Sequence, residues 1–433
     1  MKLKGRFARR TGVRRLVHHY QVLLALVVGV TLFTSTVVLA ADSDLDPSFD
    51  GDGIVTTDYS EFEQINDMAI QPDGKIVVAG HSGILHTNSQ EPLSIMVARY
   101  NSDGSPDTTF GTDGIVTTDV GLYAKARAVA LQADGKIVVG GRGGSALQLD
   151  FTLVRYHPNG KLDNTFGNGG IVTTLFGGFA QIADLAIQPD GKIVAGGDVG
   201  FSATIVRYNV DGSLDATFSS SQATTSRIAL QADQKIVVAG TCVPGSEPQF
   251  CVMRYNSDGT FDQEFGEDGT VITAFETTAG AARDVGIQPD GKIVVAGESF
   301  QNGTAIPALA RYNTDGSLDT SFDTEGKVTT PNSLQLQTTA LVLQPDGKIV
   351  VAGSSFGVVQ SITLRRYDAD GSLDETFGSA GFVTTSIGPT HAAAAAVALQ
   401  TDGKIVAAGH RMFGNDPEAV FADFALVRYG DGE

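Results

Sequence analysis

The chain has 433 residues and carries 30 Lys and Arg against 49 Asp and Glu, a net charge of −19. Seven cations, Lys2, Lys4, Arg6, Arg9, Arg10, Arg14 and Arg15, lie in residues 1–40 without a single acid, so setting them aside leaves −26 on the rest. A body that acidic repels phosphate backbones, which argues against nucleic acid as a partner.

The basic start is followed by an uncharged apolar run, Val22 to Ala41, that ends in Val38-Leu39-Ala40. Small residues there suit a signal peptidase, so residues 1–40 read as an export signal cut after Ala40. A run of 20 residues is also long enough to stay in the bilayer as an anchor, which is the one route to a membrane the sequence offers. Residues 41–433 are then expected outside the cell, secreted or held at its surface.

From Gln71 onward one segment recurs, given in full as Gln288 to Gly297, Gln-Pro-Asp-Gly-Lys-Ile-Val-Val-Ala-Gly. Copies begin at Gln71, Gln132, Gln188, Gln231, Gln288, Gln344 and Gln400, spaced by 61, 56, 43, 57, 56 and 56 residues. A fixed period of this size marks a repeat architecture, and such an array counts as one domain in spite of its length.

Within each repeat a first strand ends at the glutamine, and Pro-Asp-Gly-Lys makes a tight turn into a second. The second strand, Ile76-Val77-Val78-Ala79 and its copies, is apolar at consecutive positions, so both its faces need cover. A third strand ends in Arg-Tyr, at Arg99, Arg155, Arg207, Arg254, Arg311, Arg366 and Arg428. A turn of the form Asn-x-Asp-Gly-Ser, then Leu-Asp-x-x-Phe, leads to a fourth strand such as Gly114 to Thr118. Four short antiparallel strands per repeat, with no helical periodicity, predict an all-β, seven-bladed β-propeller. Small residues two before each glutamine, from Ala69 to Ala398, fit an innermost strand where blades converge.

The repeats fall near 65–118, 126–174, 182–223, 226–273, 283–330, 339–385 and 395–429. The last lacks its fourth strand, which residues 45–57, with Leu45-Asp46-Pro47-Ser48-Phe49 and Ile54-Val55-Thr56-Thr57, are placed to supply. That exchange closes the ring and leaves no inner edge open. The third repeat is short between Phe218 and Gln231, so its fourth strand should be missing or poorly formed. Cys242 and Cys251 flank a Pro-Gly-Ser-Glu-Pro turn region and are read as a disulfide across a hairpin.

The Gln-Pro-Asp-Gly-Lys-Ile-Val-Val-Ala-Gly, Arg-Tyr-Asn-x-Asp-Gly-Ser-Leu-Asp-x-x-Phe-Gly and Gly-x-Val-Thr-Thr segments resemble the delta-60 repeat over about Leu45 to Gly432. The resemblance implies an exported bacterial β-propeller of largely unknown function, and it brings no catalytic residues.

What repeats seven times is expected to be scaffold. Each Arg-Tyr arginine has a candidate partner in Asp107, Asp163, Asp215, Asp262, Asp319, Asp374 or, for Arg428, Asp46. The acidic turns, such as Asn101 to Asp107, read as self-capping turns; the competing reading is calcium ligation, the one cofactor the sequence raises. Function is sought in the unrepeated loops joining second to third and fourth to first strands, chiefly 82–93 and 411–420. His81, His86, His391 and His410 map to that side in two adjacent repeats, with Phe413 and Asp416 beside them, and are the candidate binding residues. No Gly-x-Ser-x-Gly elbow, His-Glu-x-x-His helix or phosphate loop occurs, so catalytic residues are assigned to none. The expected function is a monomeric binding module for an extracellular protein or glycan. The alternatives are a hydrolase or lyase of extracellular polymer and a calcium-stabilised envelope protein.

Overall fold

The structure is a computed structural model, and it describes residues 45–83, 93–145, 147–200, 202–219, 221–223, 227–275, 279–301, 303–330, 336–355, 359–388, 391–413 and 421–430. Residues 1–40, expected to be an export signal, lie outside the described residues, as does the expected cleavage point. Those residues form strands and turns, with no α-helix among them.

The chain begins with β1 (Ile54–Thr57). The first repeat follows as β2 (Phe62–Ile70), β3 (Ile76–Gly83), β4 (Ser94–Tyr100) and β5 (Ile115–Thr118). Next come β6 (Lys125–Leu131), β7 (Ile137–Ser145), β8 (Gln148–Tyr156) and β9 (Ile171–Thr174). The third repeat is β10 (Ala180–Ile187), β11 (Ile193–Val199), β12 (Ser202–Tyr208) and β13 (Ser221–Ala223). The fourth is β14 (Arg227–Leu230), β15 (Ile236–Cys242), β16 (Gln249–Tyr255) and β17 (Thr270–Thr273). The fifth is β18 (Ala279–Ile287), β19 (Ile293–Gln301), β20 (Thr304–Tyr312) and β21 (Lys327–Thr329). The sixth is β22 (Leu336–Leu343), β23 (Ile349–Ser355), β24 (Ser361–Tyr367) and β25 (Phe382–Thr385), and the chain ends in β26 (Ala392–Leu399), β27 (Ile405–Phe413) and β28 (Phe421–Tyr429).

Each repeat pairs its strands in sequence order, all antiparallel. The N-terminal β1 pairs with β28 from Ile54↔Val427 to Thr57↔Phe424, so the first strand of the chain completes the last repeat. Five sheets have four strands and one has eight, because a single parallel bridge, Phe62↔Ala422, links the last repeat to the first. Every first strand touches the first strand of the next repeat, and β26 touches β2. Apolar clusters lie between successive repeats: Val77, Phe110 and Val139 between the first and second, for example, and Phe49, Met68 and Leu426 between the last and the first. The continuous apolar second strand is thereby covered on both faces. This is a propeller fold of repeated four-stranded antiparallel sheets.

The repeated polar residues form one layer on the side of the Pro-Asp-Gly-Lys turns. Arg311 Nε donates to Asp319 at 2.7 Å, its Nη1 donates to the Ala369 carbonyl of the next repeat at 2.5 Å, and its guanidinium lies 4.4 Å from the Phe322 ring centre. The same pairs recur at Arg99–Asp107, Arg155–Asp163, Arg207–Asp215, Arg254–Asp262, Arg366–Asp374 and Arg428–Asp46. Arg428 Nη1 reaches the Ser102 carbonyl at 2.5 Å, so the last repeat grips the first as Arg99 grips Pro158 of the second. The Tyr312 hydroxyl donates to Thr273 of the preceding repeat at 2.7 Å, and five other Arg-Tyr tyrosines have the equivalent threonine. The Tyr255 hydroxyl donates to Met253 Sδ at 3.3 Å.

That third repeat does keep a fourth strand, the three-residue β13, as a poorly formed one. Cys242 and Cys251 are bonded, with 5.4 Å between their Cα atoms, on the paired strands β15 and β16.

Candidate functional site

The axial side is built by the first strands, and a bulge governs what they present. In six repeats the pairing of first and second strands skips one residue: Asn66, Arg127, Ala183, Arg283, Thr339 and Ala395. The extra residue breaks the alternation of the strand and shifts the phase of the positions around it. The motif glycine makes room: a Cβ on Gly297 would sit 2.0 Å from the Ala281 carbonyl oxygen.

At these positions the repeats differ. Four residues before the glutamine stand Asp67, Ala128, Asp184, Arg227, Asp284, Ala340 and Ala396. Asp67 accepts the Val129 N–H at 2.8 Å, Asp184 the Ile228 N–H at 2.6 Å and Asp284 the Leu341 N–H at 2.7 Å, so each clasps the first strand of the following repeat. Arg227 reaches the same region, with Nε 3.7 Å from Asp284. Burial pushes the three carboxyls up, Asp184 to about 7 and Asp284 to about 6, more than the one guanidinium pulls them down. Burial works against the charge of Arg227 as well, but Asp184, Asp67 and Asp284 outweigh it and raise its pKa.

Above this layer, towards the unrepeated loops, a cavity of about 240 Å³ is lined by Asn66, Arg127, Gln181, Ala183, Asp198, Arg227 and Arg283. Lys125 faces Arg142 across β6 and β7, with Arg127 nearby. Arg127 is exposed to the water of the opening yet set deep among protein atoms, and burial with the charge of Arg227 lowers its pKa against the pull of Asp198. Burial and then Arg142 and Arg127 bring Lys125 down to about 8. Among the described residues, Lys125, Arg127 and Arg142 are in no salt bridge, and Arg142 Nε is buried without a hydrogen-bond partner. Arg142 lies 5.6 Å from the ring centre of Phe179, which is 45% exposed. Unpaired cations beside an open aromatic ring, in a chain of net charge −19, are chemically equipped to take an anion.

Of the four candidate histidines, two lie within strands. His81 and His410 are inside β3 and β27, directly after the motif glycine, where Arg142 and Asp198 stand in other repeats. His81 is fully buried, its Nδ1 lies 3.3 Å from Asn66 Nδ2, and its Nε2 has no partner. Burial, aided by Lys125, Arg127, Arg142 and His410, holds His81 neutral, and burial takes His410 to about 4. His391 precedes β26 and accepts the Gln360 N–H at 3.1 Å. Phe413 ends β27 and stacks on Phe421 at 5.9 Å. His86 and Asp416 lie outside the described residues. Among the described residues no histidine belongs to a group of three side chains able to hold a metal. In the acidic turns the aspartates bond their own turn, as Asp103 accepts from the Ser105 N–H at 3.0 Å and its hydroxyl at 2.6 Å. The axial residues escaped the sequence reading, although their signal was there in the charged and small residues that alternate at one position of the first strand.

The repeated sheets and the axial cavity define a β-propeller. Six segments, 71–110, 132–166, 188–218, 231–265, 288–322 and 344–377, match the family described as "Domain of unknown function (DUF5122) beta-propeller". The chain is therefore made of β-propeller repeats; the copy beginning at Gln400 falls outside the matched segments. No curated protein matches the chain. Among solved structures, a protein of unknown function from Dyadobacter fermentans is 10% identical, with 87% of this chain and 98% of that one covered and a TM-score of 0.44. The polysaccharide lyase Uly1 gives 10%, 84%, 89% and 0.46. PorZ, a surface component of the type-IX secretion system of Porphyromonas gingivalis, gives 12%, 85%, 47% and 0.46. At those scores the likenesses carry no argument about what this chain does.

Proposed function

We propose that the chain is an exported binding module, a seven-bladed propeller of the delta-60 kind, that takes an anionic extracellular glycan at its axial cavity. The bridge that merges the last repeat with the first is a single residue pair, which supports reading the eight-stranded sheet as two blades. The observation that carries the ligand class is the group Lys125, Arg127 and Arg142, cations in no salt bridge among the described residues, of which Arg127 lines the cavity together with Asp198, while Phe179 stands open beside Arg142. Uronate carboxylates satisfy such cations, and a sugar face packs on an aromatic ring.

The test is retention of the full chain on immobilised polygalacturonate against neutral dextran at low and high salt. Retention on the anionic polymer alone, weakened by salt and reduced about tenfold or more by Arg127→Ala, is the expected result. Equal retention on both polymers overturns the reading. A second reading, cleavage of the polymer, is favoured by the Asp184 carboxyl at about 7 beneath the cations, in the range suited to a general acid. New reducing ends or unsaturated products in the same mixture, lost in Asp184→Asn, decide for it.

A further inference from the structure

We propose that Asp58, Glu63 and Asp423 form a calcium site at the seam where the first and last repeats meet. One carboxylate oxygen from each lies within 4.8 Å of the others. The pairing explains why residues so far apart in sequence converge. β1 leaves β28 at Thr57↔Phe424, and one more step of that register sets Asp58 beside Asp423. The chain then turns and re-enters the same edge of β28 through the parallel bridge Phe62↔Ala422, which sets Glu63 beside Asp423 from the other side. The three ligands thus come from the exit of the closing strand, the first inner strand and the last strand.

The cluster is under-neutralised by the protein. Glu63 and Asp423 are essentially fully buried, while Asp58 is exposed and leaves one side open to water ligands. Glu63 Oε1 accepts the N–H groups of Tyr59, at 3.0 Å, and Ser60, but Oε2 is buried without a partner. Asp423 Oδ2 accepts from Arg411 Nε at 2.9 Å and Nη2 at 2.6 Å, but Oδ1 is likewise orphaned. Three carboxylates against one guanidinium leave two negative charges, which one divalent cation cancels. Buried carboxylate oxygens without donors are costly, and an ion is a common answer. Burial, only partly offset by the Ser60 side chain and the two N–H groups, raises the Glu63 carboxyl to about 7, and the neighbouring Asp423 charge adds to that. Burial likewise raises Asp423, against Arg411 and with help from Asp58.

An all-oxygen, charged ligand set selects a hard cation. Magnesium usually keeps several waters and uses few carboxylates, whereas calcium accepts irregular shells of protein oxygens about 2.3–2.6 Å away, spanning about the distance seen here. Bound there, the ion would tie together the chain segments that close the ring. This site is independent of the glycan reading: it lies at the seam, and it differs from the acidic turns that the sequence raised for calcium.

The experiment is calorimetric titration of the full chain with calcium chloride alone, beside thermal melting in chelator and in calcium or magnesium. Expected is one site with Kd near ~10⁻⁴–10⁻³ M. The Tm should rise by about 3 °C once calcium exceeds Kd roughly a hundredfold. Asp58→Asn, an exposed change that leaves the buried pair alone, should weaken calcium at least about tenfold. Glu63→Gln should abolish the calcium-induced shift without lowering the metal-free Tm, which shows that it folds. Absence of heat and of any shift up to ~10 mM calcium overturns the proposal. So does a calcium response kept in both variants, which would move binding to other acidic groups. An equal response to magnesium overturns the choice of ion.

Discussion

The two sides of the propeller are built on opposite economies of charge. On the turn side each arginine meets an aspartate and a phenylalanine ring, and in all seven repeats the motif lysine binds the same aspartate. Burial there would raise the Asp107 carboxyl, but hydrogen bonds from Lys75 and Thr109 and the charge of Arg99 hold it well below the usual carboxylate range. On the axial side and at the seam, carboxylates are raised instead, and Lys125, Arg127 and Arg142 stand outside any salt bridge among the described residues. Where every charge is matched seven times over, the layer holds the blades in register. Where charges are left unmatched, the fold has something to gain from a ligand.

The largest expected effect breaks the matched layer. Arg311→Ala leaves Asp319 with Lys292 as its remaining cation beside the Ser321 hydrogen bonds, and the Ala369 carbonyl loses its donor. Removing one partner of a buried pair costs about 3–5 kcal/mol. Urea denaturation should show that loss while retention on polygalacturonate, measured below the transition, stays as in the parent. An unchanged midpoint would mean that the repeated arginines do not hold the fold.

A smaller effect separates the two sides by pH. The Glu63 carboxyl moves from 4.5 to about 7 on folding, so the folded chain binds that proton more tightly. Its contribution is complete below about 4.5 and is lost as the pH rises through about 7; Asp184, which goes from 3.8 to about 7, acts the same way. The lowered aspartates run the other way: their contribution is complete above 3.8 and lost as the pH falls below it. In chelator the chain should therefore be more stable near pH 5 than at pH 8, by on the order of 1–3 kcal/mol. Glu63→Gln should flatten part of that slope. Urea midpoints that stay level from pH 5 to 8 would refute the raised seam and axial carboxyls.

The matched side was legible in the sequence because repetition itself displays it. Seven Arg-Tyr pairs, six of them with an aspartate at constant spacing, need one rule, and the structure applies it even to Arg428 and Asp46 across the ends of the chain. The axial side was hidden by the bulge. Counting alternate residues along Asn66 to Ala69 assigns faces wrongly, since the skipped residue shifts the phase, and Asp67 then passes for an ordinary strand position. The seam was hidden by distance: Asp58 and Asp423 become neighbours only once β1 is laid on β28. His81 and His410 follow the motif glycine at strand positions, where burial and not loop exposure decides their chemistry.

The fourth repeat sharpens the contrast, because its departures from the motif fall on both sides. At the axis it carries Arg227 where three other repeats have aspartate. On the turn side it carries Gln234 at φ 69°, where the other copies have glycines with φ between 81° and 92°. A side chain in that left-handed conformation costs about 1 kcal/mol or more, while glycine adds unfolded-chain entropy that offsets about half of it. If the turn side is scaffold throughout, Gln234→Gly should stabilise the chain by about 0.5 kcal/mol in urea denaturation and leave glycan retention untouched. A loss of stability would instead mean that the exposed Gln234 side chain contributes to the turn, and that the fourth repeat is specialised on this side as it is at the axis.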